Sequence, residues 1–320
     1  MDKNIRPEIS VLMPVYNGAL YIKEAIDSVL SQTFTNFELV IVNDCSKDSS
    51  LEIIKSYDDS RIVVIDNEIN KGLISTLNIG LKYCRGKYTA RLDQDDIALP
   101  ERFEKQYKYM ENNIDIDVVG SFTECIDSKG KSIKITRNPT EPISIKYEFL
   151  FNNVMFHSSI FFRTDTIIKK GGYSEEFIHA EDYEMYSRPK KELKCANIPE
   201  VLFKYRIHSD SITGSVNTQP IVHMNALNVA YRNISEYIDI PRQSFDIIKD
   251  LIIIKKPNSL VSFKIVLKTL TFLKKLTNTF ITKNNVSKKD RGLVIQSYVG
   301  KRNMIWQHYI IGRYHSIIKS

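Results

Sequence analysis

What this chain lacks narrows it first. Cysteine occurs four times in 320 residues, at Cys45, Cys84, Cys125 and Cys195, in no metal-binding or redox spacing. Reduced thiols of a cytosolic protein are the simplest reading, and the N-x-S triplets at Asn233 and Asn285 then carry no meaning. No apolar run approaches the length that spans a bilayer. The start, MDKNIRPEISVLMPVYN, has no apolar stretch followed by a small-residue cleavage site, so a signal peptide is not expected. Glycine forms neither G-x-G-x-x-G nor a Walker-type lysine loop, which disfavours a dinucleotide oxidoreductase and any phosphate site built on a Gly-rich turn. Disorder is excluded by composition, since 42% of residues are apolar and 26% charged.

Charge is present but unevenly spread. The net charge is +7, yet Pro241 to Ser320 holds 16 Lys and Arg against 3 Asp and Glu, a balance of +13 that leaves the first 240 residues at −6. An acidic body carries a basic tail, which suits an anionic partner such as a membrane surface or nucleic acid. Aromatic interleaving of the kind found on RNA platforms is absent, so nucleic acid is set aside.

The first hundred residues alternate buried-type strands with helices. ISVLMPV (Ile9 to Val15), FELVIV (Phe37 to Val42), Ile62 to Ile65 and Tyr88 to Leu92 read as strands, with helical spacing in Tyr21 to Gln32, Ser49 to Tyr57 and Leu73 to Tyr83. Such alternation predicts an α/β fold with a right-handed, mostly parallel sheet, and ligands on such sheets sit at the carboxyl ends of the strands. Tyr16-Asn17, Asn43-Asp44 and Asp93 with Asp95 all follow predicted strands, so they line one crevice. In extended chain, residues i and i+2 face the same way. Asp93 and Asp95 therefore share a ligand, while Asp96 is placed to cap the helix from Arg102 to Met110. Crowded carboxylates need a cation or hydroxyls, and hard divalent ions that accompany phosphates, Mn2+ or Mg2+, prefer oxygen ligands. The alternative is a solvated acidic turn. Further on, Val118 to Ser121, a hairpin around Ser128-Lys129-Gly130, a helix over Ile143 to Asn152, the strand Ile160 to Phe162, an acid-headed helix from Ala180 and a last strand from Leu202 to Ile207 are expected.

Taken in order, VLMPVYN, IVNDCSKDSS, NKGLISTLNIGL, GKYTARLDQDDIALPERFEKQ, HSSIFFR, GGYSEEF with AEDYEMY, and YRIHSDSIT resemble the inverting GT-A glycosyltransferases of family 2, of the bacterial surface-polysaccharide kind. The resemblance covers about the first 215 residues. It implies a GT-A domain over residues 1–215, with a nucleotide-sugar half (1–100) and an acceptor half (101–215), and a helical, basic region over 216–320. By the same resemblance, Pro14, Val15, Tyr16 and Asp44 hold the base, Asp44 accepting the uracil N–H. Asp93 sits by the ribose, Lys71, Asn78 and Gln94 complete the nucleotide-sugar site, and Asp95 coordinates the metal with His208. Asp182, after Glu181, matches the catalytic base. Leu77 departs from the family, where many members have Arg before the counterpart of Asn78; one donor contact is then missing or supplied by Lys71. The Gln-x-x-Arg-Trp signature of processive synthases is also missing, which favours one sugar per encounter.

The implied activity is non-processive transfer of a hexose or N-acetylhexosamine from a UDP-sugar to a lipid-linked oligosaccharide in O-antigen or capsule assembly. Its implied place is the cytoplasm, peripheral to the inner face of the plasma membrane. Plainer readings stay open beside it: Glu181 and Asp182 as helix-dipole partners, Asp44 as a turn residue, His208 as a hydrogen-bonded structural residue, His157 as packing or acceptor-site lining, and Tyr16 as stacking on the base or merely packing. In the tail, Phe263, Val266, Leu267, Leu270 and Leu273 share one helical face from Leu260 onward and Lys264, Lys268 and Lys275 another. That pattern suits either an anionic bilayer surface or a helix packed on the protein. Two rival functions are a nucleotidyltransferase that makes the nucleotide sugar, disfavoured because Gly18 stands alone near the first strand, and a silent scaffold subunit, against which Asp44, Asp93, Asp95 and Asp182 stand together.

Overall fold

The computed structural model describes residues 6–189, 192–209, 211, 218–254 and 261–319. Asp210, Ile212 and Thr213 of the YRIHSDSIT stretch, and Leu260, lie outside them. The apolar runs at the start become strands β1 (Ile9–Val15) and β2 (Phe37–Asn43), buried at every position. Continuous Val, Ile and Leu runs are stable as strands only when both sheet faces are covered. The cover is helical: α1 (Ile22–Leu30) and α2 (Ser50–Lys55), then β3 (Ile62–Asp66), α3 (Leu73–Tyr83) and β4 (Tyr88–Arg91). β1 pairs in parallel with both β2 and β4, and β2 with β3.

The next segment adds β5 (Ile97–Ala98), α4 (Arg102–Asn112), β6 (Val118–Ile126), β7 (Ser132–Thr136), α5 (Pro142–Glu148), β8 (Phe161–Arg163), α6 (Thr164–Lys169), α7 (Glu181–Ser187) and β9 (Cys195–Arg206). The sheet order is β3-β2-β1-β4-β8-β6-β9-β5, with β7 on β6. β8 enters antiparallel to both β4 and β6, while β9 runs parallel to β6. Two reversals restore direction, so the carboxyl end of β9 comes to the same edge as those of β1, β2 and β4. That edge carries the site.

β9 is longer than the expected strand from Leu202. Cys195 to Ile198 pair with Val118 to Ser121, and the register shifts beside Ser121 and Phe122 let Pro199-Glu200 pass without ending the strand. A proline and an exposed acid disguise the continuity in the sequence. Asp96 also departs from expectation. It does not cap α4, whose flanking Glu101 makes no side-chain cap; it is buried, and its Oδ1 accepts from the Arg206 N–H at 2.8 Å.

The chain divides into two compact units, Met1–Thr140 with Met155–Val222, and Glu141–Val154 with His223–Ser320. The expected boundary follows residue 215, but α5 belongs with the helical unit. Its Glu148 accepts from Lys301 Nζ at 2.7 Å and from Ser297, and Tyr147 meets Thr277 at 2.8 Å. The other helices of this unit are α8 (Gln219–Ser235), α9 (Arg242–Lys249), α10 (Phe263–Lys283) and α11 (Lys288–Lys319). Val266, Leu273, Leu276 and Phe280 of α10 lie in a core with Phe151, Phe245 and Ile305. Among the described residues, no helix is long and apolar enough to cross a membrane.

Candidate active site

At the first strand end, β1 stops at Val15 and turns through Asn17, whose φ of 49° lies in the left-handed region that asparagine tolerates. Pro14 and Val15 lie in the buried strand and offer no side-chain polar groups. Gln94 clamps the turn: its Oε1 accepts from the Tyr16 N–H at 2.9 Å and its Nε2 donates to the Tyr16 carbonyl at 3.1 Å. A side chain at Gly18 would collide with Gln94, which explains the glycine. The clamp leaves the Tyr16 ring 46% exposed, so it does not pack into the core.

Asp44 follows β2 and is almost fully buried. Its Oδ1 accepts from Asn67 Nδ2 and the Lys71 N–H, and its Oδ2 from the Gly72 N–H, each at 2.8 Å. Asp44 thus anchors the loop that starts α3 at Gly72, where φ is 80° and glycine is favoured. The Lys71 side chain is left exposed on that loop. Asp44→Ala strands three donors and is expected to cost about 3 kcal/mol, read as a lowered urea midpoint; an unchanged midpoint would remove the anchoring role. Asn78 does similar work elsewhere, bracketing the Tyr173 backbone through Nδ2 to the carbonyl at 2.8 Å and Oδ1 from the N–H at 3.0 Å. Leu77 beside it is wholly buried.

The acid loop after β4 gathers Asp93, Asp95 and Asp96, each offering a carboxylate oxygen within 4.8 Å of the others. Arg91, buried within β4, pairs with Asp93 and donates to Ser158 Oγ at 2.8 Å. Ser158 Oγ in turn donates to Asp93 Oδ2 at 2.7 Å. Arg206 holds the loop from β9, with Nε donating to the Asp95 carbonyl at 2.9 Å and the guanidinium 4.6 Å over the Tyr21 ring. His208 follows: its Nε2 lies 2.8 Å from Asp95 Oδ2 and its ring 5.0 Å from that of Tyr21. Burial, reinforced by the Asp95 and Asp93 charges, pushes the Asp96 carboxyl well above the ordinary carboxylate range. Among the described residues its Oδ2 has no hydrogen-bond partner. Three convergent carboxylates, one with an unmatched oxygen, and an adjacent imidazole fit a divalent Mn2+ or Mg2+.

Across the site, α7 opens with Glu181 and Asp182. Glu181 is 4% exposed and, among the described residues, its Oε2 has no hydrogen-bond partner; burial, and then the Asp182 charge, push its carboxyl up to about 7. Asp182 is half-buried and accepts from the Tyr183 N–H at 2.6 Å. The buried Tyr173 phenol, raised above its ordinary range by desolvation, feels Arg91, Asp182, Glu181 and Asp93 together. The α7 acids and the β4 acids therefore share one neighbourhood. His157 meets Tyr173 there, Nε2 to hydroxyl at 2.9 Å, and burial with Arg91 nearby drives its pKa well below the ordinary value. Its neutral form is thereby favoured. Arg91, Ser158, Tyr173 and Arg206 were not expected to position the site. The one legible signal was Arg91, a charge inside a strand-type run, because a buried charge demands a partner.

A parallel nucleotide-type sheet that passes through one antiparallel strand into a mixed half, with an acid loop at the shared strand ends, is the architecture of a GT-A glycosyltransferase. The chain belongs to glycosyl transferase family 2: the family model described as "Glycosyl transferase family 2" matches residues 10–172. It is 35% identical over 219 residues to the O-antigen biosynthesis glycosyltransferase WbnJ of Escherichia coli, covering 66% of this chain and 84% of WbnJ. In structure it is similar to S. aureus TarS 1-349 in complex with UDP-GlcNAc, with a TM-score of 0.60, 18% identity and coverage of 97% and 91% of the two chains. It is also similar to the mannosyltransferase PcManGT of Pyrobaculum calidifontis in complex with GDP-Man and Mn2+, with a TM-score of 0.56, 13% identity and coverage of 98% and 88%.

Proposed function

We propose that this glycosyltransferase moves a hexose or N-acetylhexosamine from a UDP-sugar, with inversion and one residue at a time, to a lipid-linked oligosaccharide in O-antigen or capsule assembly at the cytoplasmic face of the membrane. The observation that carries the reading is the convergence of Asp93, Asp95 and Asp96 at the strand ends, with the α7 acids in the same neighbourhood. The relative named for O-antigen biosynthesis supports the pathway, and the UDP-GlcNAc and Mn2+ complexes of the structural neighbours support donor and metal.

In this reading the base lies on the exposed Tyr16 ring and against the Asp44 loop, and Asp93 meets the ribose. Lys71, exposed on the Asp44-anchored loop, supplies the donor contact for which many family members use arginine. Asp95 with His208 would hold the divalent ion, with the Asp96 carboxyl beside them. That ion, when bound, supplies positive charge to stabilise the departing diphosphate. Asp182 accepts the proton of the acceptor hydroxyl. As that oxygen bonds to the anomeric carbon, the bond from carbon to diphosphate breaks on the opposite face, so an α-linked donor gives a β-glycoside. Glu181, neutral below about pH 7, keeps a second charge away from Asp182.

A panel of UDP-, GDP- and dTDP-sugars, incubated with Mn2+ or with EDTA, tests the reading through released nucleotide. Slow release from one UDP-sugar, abolished by EDTA, is the expected result. Undiminished release in EDTA would overturn the metal assignment, and release from a GDP-sugar alone would overturn the donor.

A further inference from the structure

The apolar stripe of α10 is divided by the fold. Val266 and Leu273 go into the core of the helical unit, but Phe263 and Leu267 stay 46% and 44% exposed. Phe263 sits against α11, its ring centroid 6.2 Å from Trp306 and 5.8 Å from Tyr309, while Trp306 and Tyr309 are 6.2 Å apart. Ile310, one turn beyond Trp306, is 61% exposed. Lys264 and Lys268 are exposed on the same two turns of α10. Neither helix has an acidic residue except Asp290, at the far end of the α10–α11 hairpin.

We propose that this open end of the hairpin, Phe263, Leu267, Trp306, Tyr309 and Ile310 with Lys264 and Lys268, is a docking surface for an anionic lipid bilayer. Charge and side-chain type both select that occupant. Trp and Tyr place an apolar body and a polar tip at headgroup depth, and lysines beside them reach lipid phosphates while their stems lie on apolar surface. The two helices that form the patch bring no carboxylate to this end, so their charge favours an anionic surface over a basic one. The buried part of the stripe stabilises the helical unit; only its tip meets lipid. This inference rests on the proposed placement at the membrane face and gives it a surface; donor hydrolysis in solution tests the chemistry separately.

Trp306 is the only tryptophan in the chain, so intrinsic fluorescence reports directly on the patch. The full-length protein is mixed with phosphatidylcholine vesicles, with and without phosphatidylglycerol, and followed by co-sedimentation and by quenching with brominated acyl chains. Binding restricted to the anionic vesicles, with a blue shift and bromolipid quenching of Trp306, is expected. Lys264→Glu with Lys268→Glu, both exposed positions, is expected to weaken partition at least about 25-fold, at roughly fivefold per lysine, with donor hydrolysis in solution unchanged. Sedimentation without quenching would place binding elsewhere and overturn the proposal, as would no sedimentation. Single-stranded RNA that shifts Trp306 while anionic vesicles do not would assign the patch to nucleic acid instead.

Discussion

Replacing Asp95 with asparagine is expected to lower transfer about a thousandfold at saturating Mn2+, the range seen when one preorganised electrostatic partner of a developing charge is removed. The fold should survive. An asparagine oxygen can still face His208 Nε2, which lies 2.8 Å from Asp95 Oδ2, and the Arg206 contact is to the Asp95 backbone, which no side-chain change removes. What disappears is one negative charge at the point where three carboxylates converge. Loss of rate with an unchanged melting temperature isolates the charge as the cause. Wild-type rates at the same Mn2+ concentration would take Asp95 out of the metal role, and a fallen melting temperature would recast it as a structural acid.

The parts of this protein that were legible in the sequence are those fixed by local pattern. ISVLMPV and FELVIV hold unbroken apolar runs, Val11 to Val15 and Leu39 to Val42, so they declare doubly covered strands, and the strand-end rule then places Tyr16, Asp44 and Asp93 on one edge. Long-range pairing was not legible. Nothing near Asn78 indicates that it brackets Tyr173, 95 positions away, and nothing in DQDD distinguishes Asp96, a buried acid under Arg206, from a helix cap. The second depends on the antiparallel insertion of β8, which brings β9 and Arg206 to the same edge. The tail shows the same limit. Helical periodicity assigns Val266 and Phe263 to one face, but only tertiary contacts decide that Val266 is core and Phe263 surface.

The choice between the two acids of α7 rests on their burial and can be made by pH. Asp182→Asn is expected to reduce kcat by about a thousandfold with little change in KM, as loss of a general base does. Glu181→Gln is expected to cost far less below pH 7, because Glu181 is then already neutral: burial and Asp182 raise its carboxyl to about 7 from an ordinary 4.5. The sign of the stability effect follows. A carboxyl whose folded-state pKa is raised favours folding fully below pH 4.5, and that contribution is lost as pH rises to about 7, by roughly 3 kcal/mol. Glutamine has no proton to lose, so the Glu181→Gln variant should lack this downward slope between pH 4.5 and 7, whatever its absolute stability. Comparing slopes rather than levels matters, because the amide leaves the same buried position without a partner. If the glutamine variant lost the thousandfold and the Asp182 variant did not, the base would be Glu181, and a pKa close to 7 would then mark a group tuned to take a proton at neutral pH.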